Sequence, residues 1–142
     1  MPADTCAGTG RSLCGGRRAT RVLTIALAGD LGAVARYGLS GLVQRWAGAR
    51  FPLGTLAVNV AGCFLIGLLA TLSLECWSLS PVTRTALLIG FLGAFTTFST
   101  FSYEILALLR EGAVWRAALN VGLSVLLCLG AAWAGVVLAS RV

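Results

Sequence analysis

The stretch Gly93 to Glu104, GAFTTFSTFSYE, sets five Ser or Thr hydroxyls (Thr96, Thr97, Ser99, Thr100, Ser102) and three phenylalanines in an otherwise lipid-like run. A hydroxyl donates a hydrogen bond without carrying a charge, so a row of them suits the replacement of water around a small, strongly hydrated ion. Asn59, Asn120 and Ser124 add neutral polar groups from two other parts of the chain. Hydrogen-bonded helix packing, worth about 0.6–2 kcal/mol per group, accounts for two or three of these residues. It does not account for five hydroxyls in seven positions, because each surplus donor in a dry setting needs a partner.

Enzyme chemistry has no comparable support. There is no histidine, no nucleophile beside a base, no carboxylate pair and no phosphate-binding glycine loop. The five cysteines (Cys6, Cys14, Cys63, Cys76, Cys128) are an odd number without metal-ligand spacing, and read as small apolar residues.

The elements that must position the polar groups are membrane helices. Of 142 residues 58% are hydrophobic and only 11% charged, with a mean hydropathy of +0.90, against about 25% charged in a soluble domain. At about 20 residues per crossing the chain accommodates four spans: Val22 to Val43, Leu53 to Leu74, Thr85 to Leu109 and Trp115 to Ala139. Residues 1–20, rich in Gly, Ser, Thr and Arg, read as a disordered tail, and 21–142 as one four-helix transmembrane domain in the cell membrane. Pro52 suits the entry of the second helix. The basic balance belongs to membrane flanks, and no nucleic-acid partner is expected.

Spacing then sorts the polar residues onto faces. Thr55, Asn59 and Gly62 are four and three apart and share one side of the second span. Asn120, Ser124 and Cys128 form a single stripe on the fourth. In the first span Asp30 and Arg36 are costly charges that suggest function, although Arg36 could equally snorkel or pair within the bundle. Gly93 with Thr96 and Thr97 weakens helical order in the third span. A kink explains this most simply; a full break that frees carbonyls for an interior cation is the other reading.

An even number of spans puts both termini on one side. Six arginines (11, 17, 18, 21, 84, 141) then face four (45, 50, 110, 116) across the membrane. Such a weak bias fits a protein able to insert both ways.

Taken together, the TTFSTFSYE run (Thr96 to Glu104) with Gly90 and Gly93, GTLAVNVAG (Gly54 to Gly62) and GAVARY (Gly32 to Tyr37) resemble the bacterial fluoride channel family, CrcB or Fluc. The likeness covers all four spans and leaves out the amino-terminal tail. It implies an all-α antiparallel homodimer of dual topology, with the third helix broken near its middle, two fluoride pores and a central structural sodium ion. By position, it implies that the carbonyls of Gly93 and Thr96 hold the sodium. Phe98 and Phe101 would be the pore aromatics, Asn59 the pore asparagine, and Ser99 and Thr100 the hydroxyl track. Thr55, Ser124 and Glu104 match further pattern positions, and Arg36 a vestibule arginine. Asp30 and Cys128 depart from the pattern, where small residues and Ser or Gly are expected. The implied function is passive export of cytoplasmic fluoride, by a homodimer or by sister subunits of opposite orientation. Two other readings are a small proton-coupled multidrug or cation exporter using Asp30, and a non-transporting scaffold subunit.

Overall fold

The computed structural model of the chain describes residues 10–48, 51–75 and 77–142, with side chains described from residue 18 onward. It is all-helical, with four helical stretches long and apolar enough to cross a membrane: Arg18–Ala47, Leu53–Glu75, Pro81–Arg110 and Val114–Ala139. The expected four-span architecture is therefore borne out. α1 (Gly10–Ala47) is already helical from Gly10, within the stretch expected as a tail; residues 1–9 of that stretch lie outside the described residues.

The connection from α1 to α2 (Leu53–Glu75) is held by one side chain. Gly48, at a left-handed φ of 77°, ends α1 as glycine does with no Cβ penalty. Gln44 then donates to the carbonyls of Gly48 (2.6 Å) and Phe51 (3.1 Å) and accepts from the Gly54 amide (3.1 Å). One carboxamide thus satisfies both the end of α1 and the first turn of α2, whose amides have no helical partner.

The third span is not one helix. Ser80 caps α3 (Pro81–Thr85) by accepting from the Thr83 amide at 3.1 Å, with Pro81 at the first helical position. A wider π-helical turn follows over Ala86–Phe91, and then α4 (Leu92–Phe95). Thr96 and Thr97 are extended (φ −83°, ψ 157° and φ −149°, ψ 121°), and α5 (Phe98–Arg110) begins after them. The expected break is real. Of the three residues expected to weaken the helix, Gly93 remains helical within α4, and the chain opens at Thr96 and Thr97. The π turn was not foreseen; nothing in ALLIGF distinguishes a wider turn from an ordinary one. Its Gly90 lies so near α1 that a Cβ there would sit 2.7 Å from the Ile25 carbonyl. Gly112, at φ 72°, turns the chain into α6 (Val114–Ala139).

α2 is the most buried span and packs chiefly on α6. Two glycines permit it. A Cβ on Gly67 would lie 2.1 Å from the Ala132 carbonyl, and one on Gly135 would lie 2.3 Å from that of Phe64. The apolar faces of α1 and α6, including Val34 and Leu126, are exposed, as surfaces against lipid are. Gly67→Val is expected to force α2 and α6 apart at a cost of at least about 3 kcal/mol, and to leave little folded protein on size exclusion in detergent. Leu126→Ala, on the outer face, should be recovered at the level of the unaltered protein.

Candidate functional site

Asn59 and Gly62, one turn apart on α2, both meet the break. Asn59 pairs with the backbone of Thr97 from both ends of its carboxamide: Nδ2 donates to the Thr97 carbonyl (3.0 Å), and Oδ1 accepts from the Thr97 amide (2.8 Å). The extended residue thereby obtains from a side chain the two bonds that a neighbouring strand would give it. Gly62 leaves room for the Thr96 side chain, whose methyl would be 2.2 Å from any Cβ at that position. The shared face of Asn59 and Gly62 read from their spacing is thus the face that accommodates the break.

The break withdraws the amides of residues 97–100 from their helical acceptors, and side chains take up two of them. In a continuous α-helix the Thr97 amide would bond to the Gly93 carbonyl, and the Thr100 amide to that of Thr96. Here the first goes to Asn59 Oδ1, and the second to Thr97 Oγ1 at 3.2 Å. Gly93 and Thr96, the pair expected to bind a cation through their carbonyls, are thus two of the four residues, 93–96, whose carbonyls lose their helical donors, and the two whose donors are taken up by side chains. Gly93 is also exposed, and a Cβ there would meet nothing within 4 Å.

Beside the break lies a cavity of about 350 Å³ whose walls include Asn59, Thr96, Phe98, Phe101, Ser124 and Cys128. The rings of Phe98 and Phe101 stand 5.6 Å apart, tilted by 42°, so the two aromatics expected on one helical face do share it. Phe98 is 78% exposed and contributes little to the packing of its own protomer.

A second cavity, about 430 Å³, holds Arg36, Ser40, Gln44, Thr55 and Thr100. Thr97 lines both, so the broken residue is the wall between them. A third, about 320 Å³, contains Glu104, Glu111 and Arg116 and shares Ser40, Gln44 and Thr55 with the second. The polar residues of all four spans thus form a row of adjoining spaces. Thr55 and Thr97 stand at the two junctions.

The remaining expected residues fall into place unequally. Thr55 donates to Glu104 Oε1 at 2.5 Å. Ser124 donates to Asn120 Oδ1 at 3.4 Å, and Asn120 is 1% exposed. Asn120 Nδ2 and Glu104 Oε2 are buried without a hydrogen-bond partner among the described residues, two polar atoms that an ordered water could satisfy. Ser99 is exposed and bonds to the Thr97 hydroxyl at 3.2 Å. Thr100 belongs to the Arg36 cavity rather than to the one lined by the phenylalanines. Asp30 is exposed on α1 and lines none of these three cavities.

Gln44 and Ser40 are missing from the sequence-based set. Gln44 stands directly before Arg45 and Trp46 and reads as a membrane flank. Its three-way bonding depends on the return of α2, which no local signal reports.

Comparison with known proteins places the transmembrane region in one family. The family model described as CrcB-like protein, Camphor Resistance (CrcB), matches residues 23–136. A protein of Geobacter sulfurreducens called a fluoride-specific ion channel is 53% identical over 122 residues, covering 86% of this chain and 98% of that one. A protein of Solibacter usitatus with the same name is 49% identical over 121 residues, covering 85% and 99%. One of Methylococcus capsulatus, also so named, is 52% identical over 120 residues, 84% of this chain; the chain spans about half of that relative's length, 53%.

Proposed function

The chain belongs to the CrcB-like protein family, and from that membership together with the geometry of the broken span we propose that this multi-pass membrane protein is a fluoride-specific ion channel. The observation that carries the reading is the Asn59-paired break at Thr96 and Thr97, which opens onto the cavity of Phe98 and Phe101. Fluoride is small and strongly hydrated, so a path for it must replace water with donors and yet release the ion. Hydroxyls, one carboxamide and the positive edges of aromatic rings do this without a fixed cation in the narrow part. Arg36, in the adjoining cavity, raises the local concentration of anions at the approach. The direction of net flow follows the gradient, which is outward for fluoride accumulated in the cytoplasm.

The functional unit is a dimer. Phe98 and Gly93 are exposed on a protomer whose cavity stands open beside them, and a second copy is the surface that would close it. The carbonyls of Gly93 and Thr96 fit a sodium ion, because each has lost its helical donor to a side chain and hard cations take oxygen ligands. When bound, the ion supplies a permanent positive charge near the pore. Because a Cβ on Gly93 meets nothing in the protomer, Gly93→Val should yield folded protomers that fail to dimerise or to bind sodium. Loss of the protomer itself would mean that Gly93 acts within the subunit.

Near-balanced arginines support insertion in both orientations. Two or three arginines added to the connection between α1 and α2 should turn a tagged protein toward one orientation, read by a topology reporter. A single fixed orientation before any change would instead indicate a partner of opposite topology.

Fluoride efflux from liposomes containing the purified protein, measured against chloride, tests the function. Fluoride flux without proton dependence is expected. Proton-coupled cation uptake would assign the protein to the exporter class, and no flux of any ion would leave a scaffold.

A further inference from the structure

Cys63 on α2 and Cys128 on α6 are free, half-buried thiols that face each other across the most closely packed pair of helices. Both open on the cavity lined by Asn59, Phe98, Phe101 and Ser124. Their proximity follows from the backbone. Gly67 lies against the Ala132 carbonyl, so close that no Cβ fits between them. Cys63 and Cys128 each precede this contact by four residues, one helical turn on each of two parallel helices. They stand at the same level of the two helices and line the same cavity.

We propose that Cys63 and Cys128 form an oxidisable dithiol in the cavity wall, converted by peroxide to an intrasubunit disulfide between α2 and α6. A sulfur of the pair attacks one peroxide oxygen, the O–O bond breaks, and the leaving hydroxide takes the thiol proton as water. The resulting sulfenic acid is attacked by the second sulfur. The S–S bond forms, the S–O bond breaks, and the departing hydroxide takes the second thiol proton. Two thiols and one hydrogen peroxide give one disulfide and two waters. Peroxide suits the place because it is neutral and small enough to enter a largely apolar cavity. A disulfide requires close Cα atoms, and the glycine-spaced contact one turn away brings the two backbones together.

The modification reaches the proposed pore directly. Cys63 is one turn from Asn59, and Cys128 one turn from Ser124. A covalent link fixes the spacing of these two lining groups and removes two S–H groups from the wall between them. This effect on conduction rests on the fluoride-channel reading; the cross-link does not.

The test exposes the purified full-length protein in liposomes to hydrogen peroxide, then blocks free thiols and digests it without reductant. A Cys63–Cys128 linked peptide that disappears after dithiothreitol is expected. Cys63→Ala and Cys128→Ser, each compared with its own unoxidised sample, should form no such peptide. In the unaltered protein fluoride flux should fall by about tenfold, the order expected when positioned groups shift by a fraction of an ångström, and should return on reduction. Both cysteines remaining open to alkylation, or a sulfinic acid on either without the linked peptide, would overturn the proposal. A linked peptide with unchanged flux would overturn its effect on the pore. A linked peptide in a protein that carries no fluoride even before oxidation would leave the dithiol standing and defeat the functional reading instead.

Discussion

Phe98→Ile and Phe101→Ile should each lower fluoride flux by two orders of magnitude or more while leaving the amount of dimer recovered by size exclusion nearly unchanged. The separation of the two effects follows from where the rings are. Phe98 is 78% exposed in its protomer, and substitutions at such positions usually change stability by no more than about 0.5 kcal/mol. Phe101 is half-buried, and an apolar exchange of modest volume change costs less than about 1.5 kcal/mol. Neither loss is enough to unfold a subunit held by the glycine contacts between α2 and α6. What isoleucine cannot replace is a ring edge, with its partial positive charge, beside the hydroxyls and Asn59. Removing one preorganised group aimed at a developing charge costs enzymes about 10²–10³ in rate, and a permeating anion held by a few weak contacts depends on them similarly. Flux per recovered dimer is the quantity to measure. If it is unchanged in both variants, the rings are packing residues and the pore lies elsewhere.

How far the sequence foretold this site depends on the range of the interaction that builds each part. The faces of single helices were legible, since spacing alone puts Asn59 with Gly62 and Phe98 with Phe101. The existence of a break was legible too, and Thr96 and Thr97 were among the residues that marked it. Gly93 and the β-branched pair after it carry a local helix-weakening signal, yet the chain stays helical through Gly93 and opens at Thr96 and Thr97. The opening is decided by Asn59 from another helix and by the Thr97 hydroxyl, which take the two amides. A side chain remote in sequence is invisible to any local reading. The same limit hid Gln44, whose bonds reach over the connection to α2, and the meeting of Cys63 with Cys128. Cys128 was legible only as the third member of a stripe. The π turn at Ala86–Phe91 escaped for a different reason, because its residues form either kind of helix and tertiary packing makes the choice.

Asn59→Leu should be the most informative change in the protein, because Asn59 is the residue through which α2 imposes the break. Leucine is close in size and apolar, so it fills the space and removes both bonds to Thr97. The Thr97 carbonyl, at the cap of α5, keeps the Phe101 amide as its helical donor, but the Thr97 amide would be left without a partner at a cost of about 1–3 kcal/mol. The amide has one alternative: the Gly93 carbonyl, its partner in an unbroken helix. Re-forming that bond relieves the amide and pulls Thr97 toward helical geometry, at the expense of the carbonyl proposed to bind sodium. The expected outcome is a protein that still folds, with a lowered melting temperature, no sodium detected by anomalous scattering at the dimer centre, and fluoride flux reduced at least a hundredfold. Stability and sodium binding thus report on the break, while flux reports on the break and the lining together. Comparison with Ser124→Ala separates the two, since Ser124 lines the same cavity but does not bond to Thr97; that variant should lose flux and keep both the sodium and the melting temperature. An Asn59→Leu protein with its sodium and melting temperature intact would show that the break persists without Asn59. The extended geometry of Thr96 and Thr97 would then have to come from Gly62 and the Thr97 cap alone.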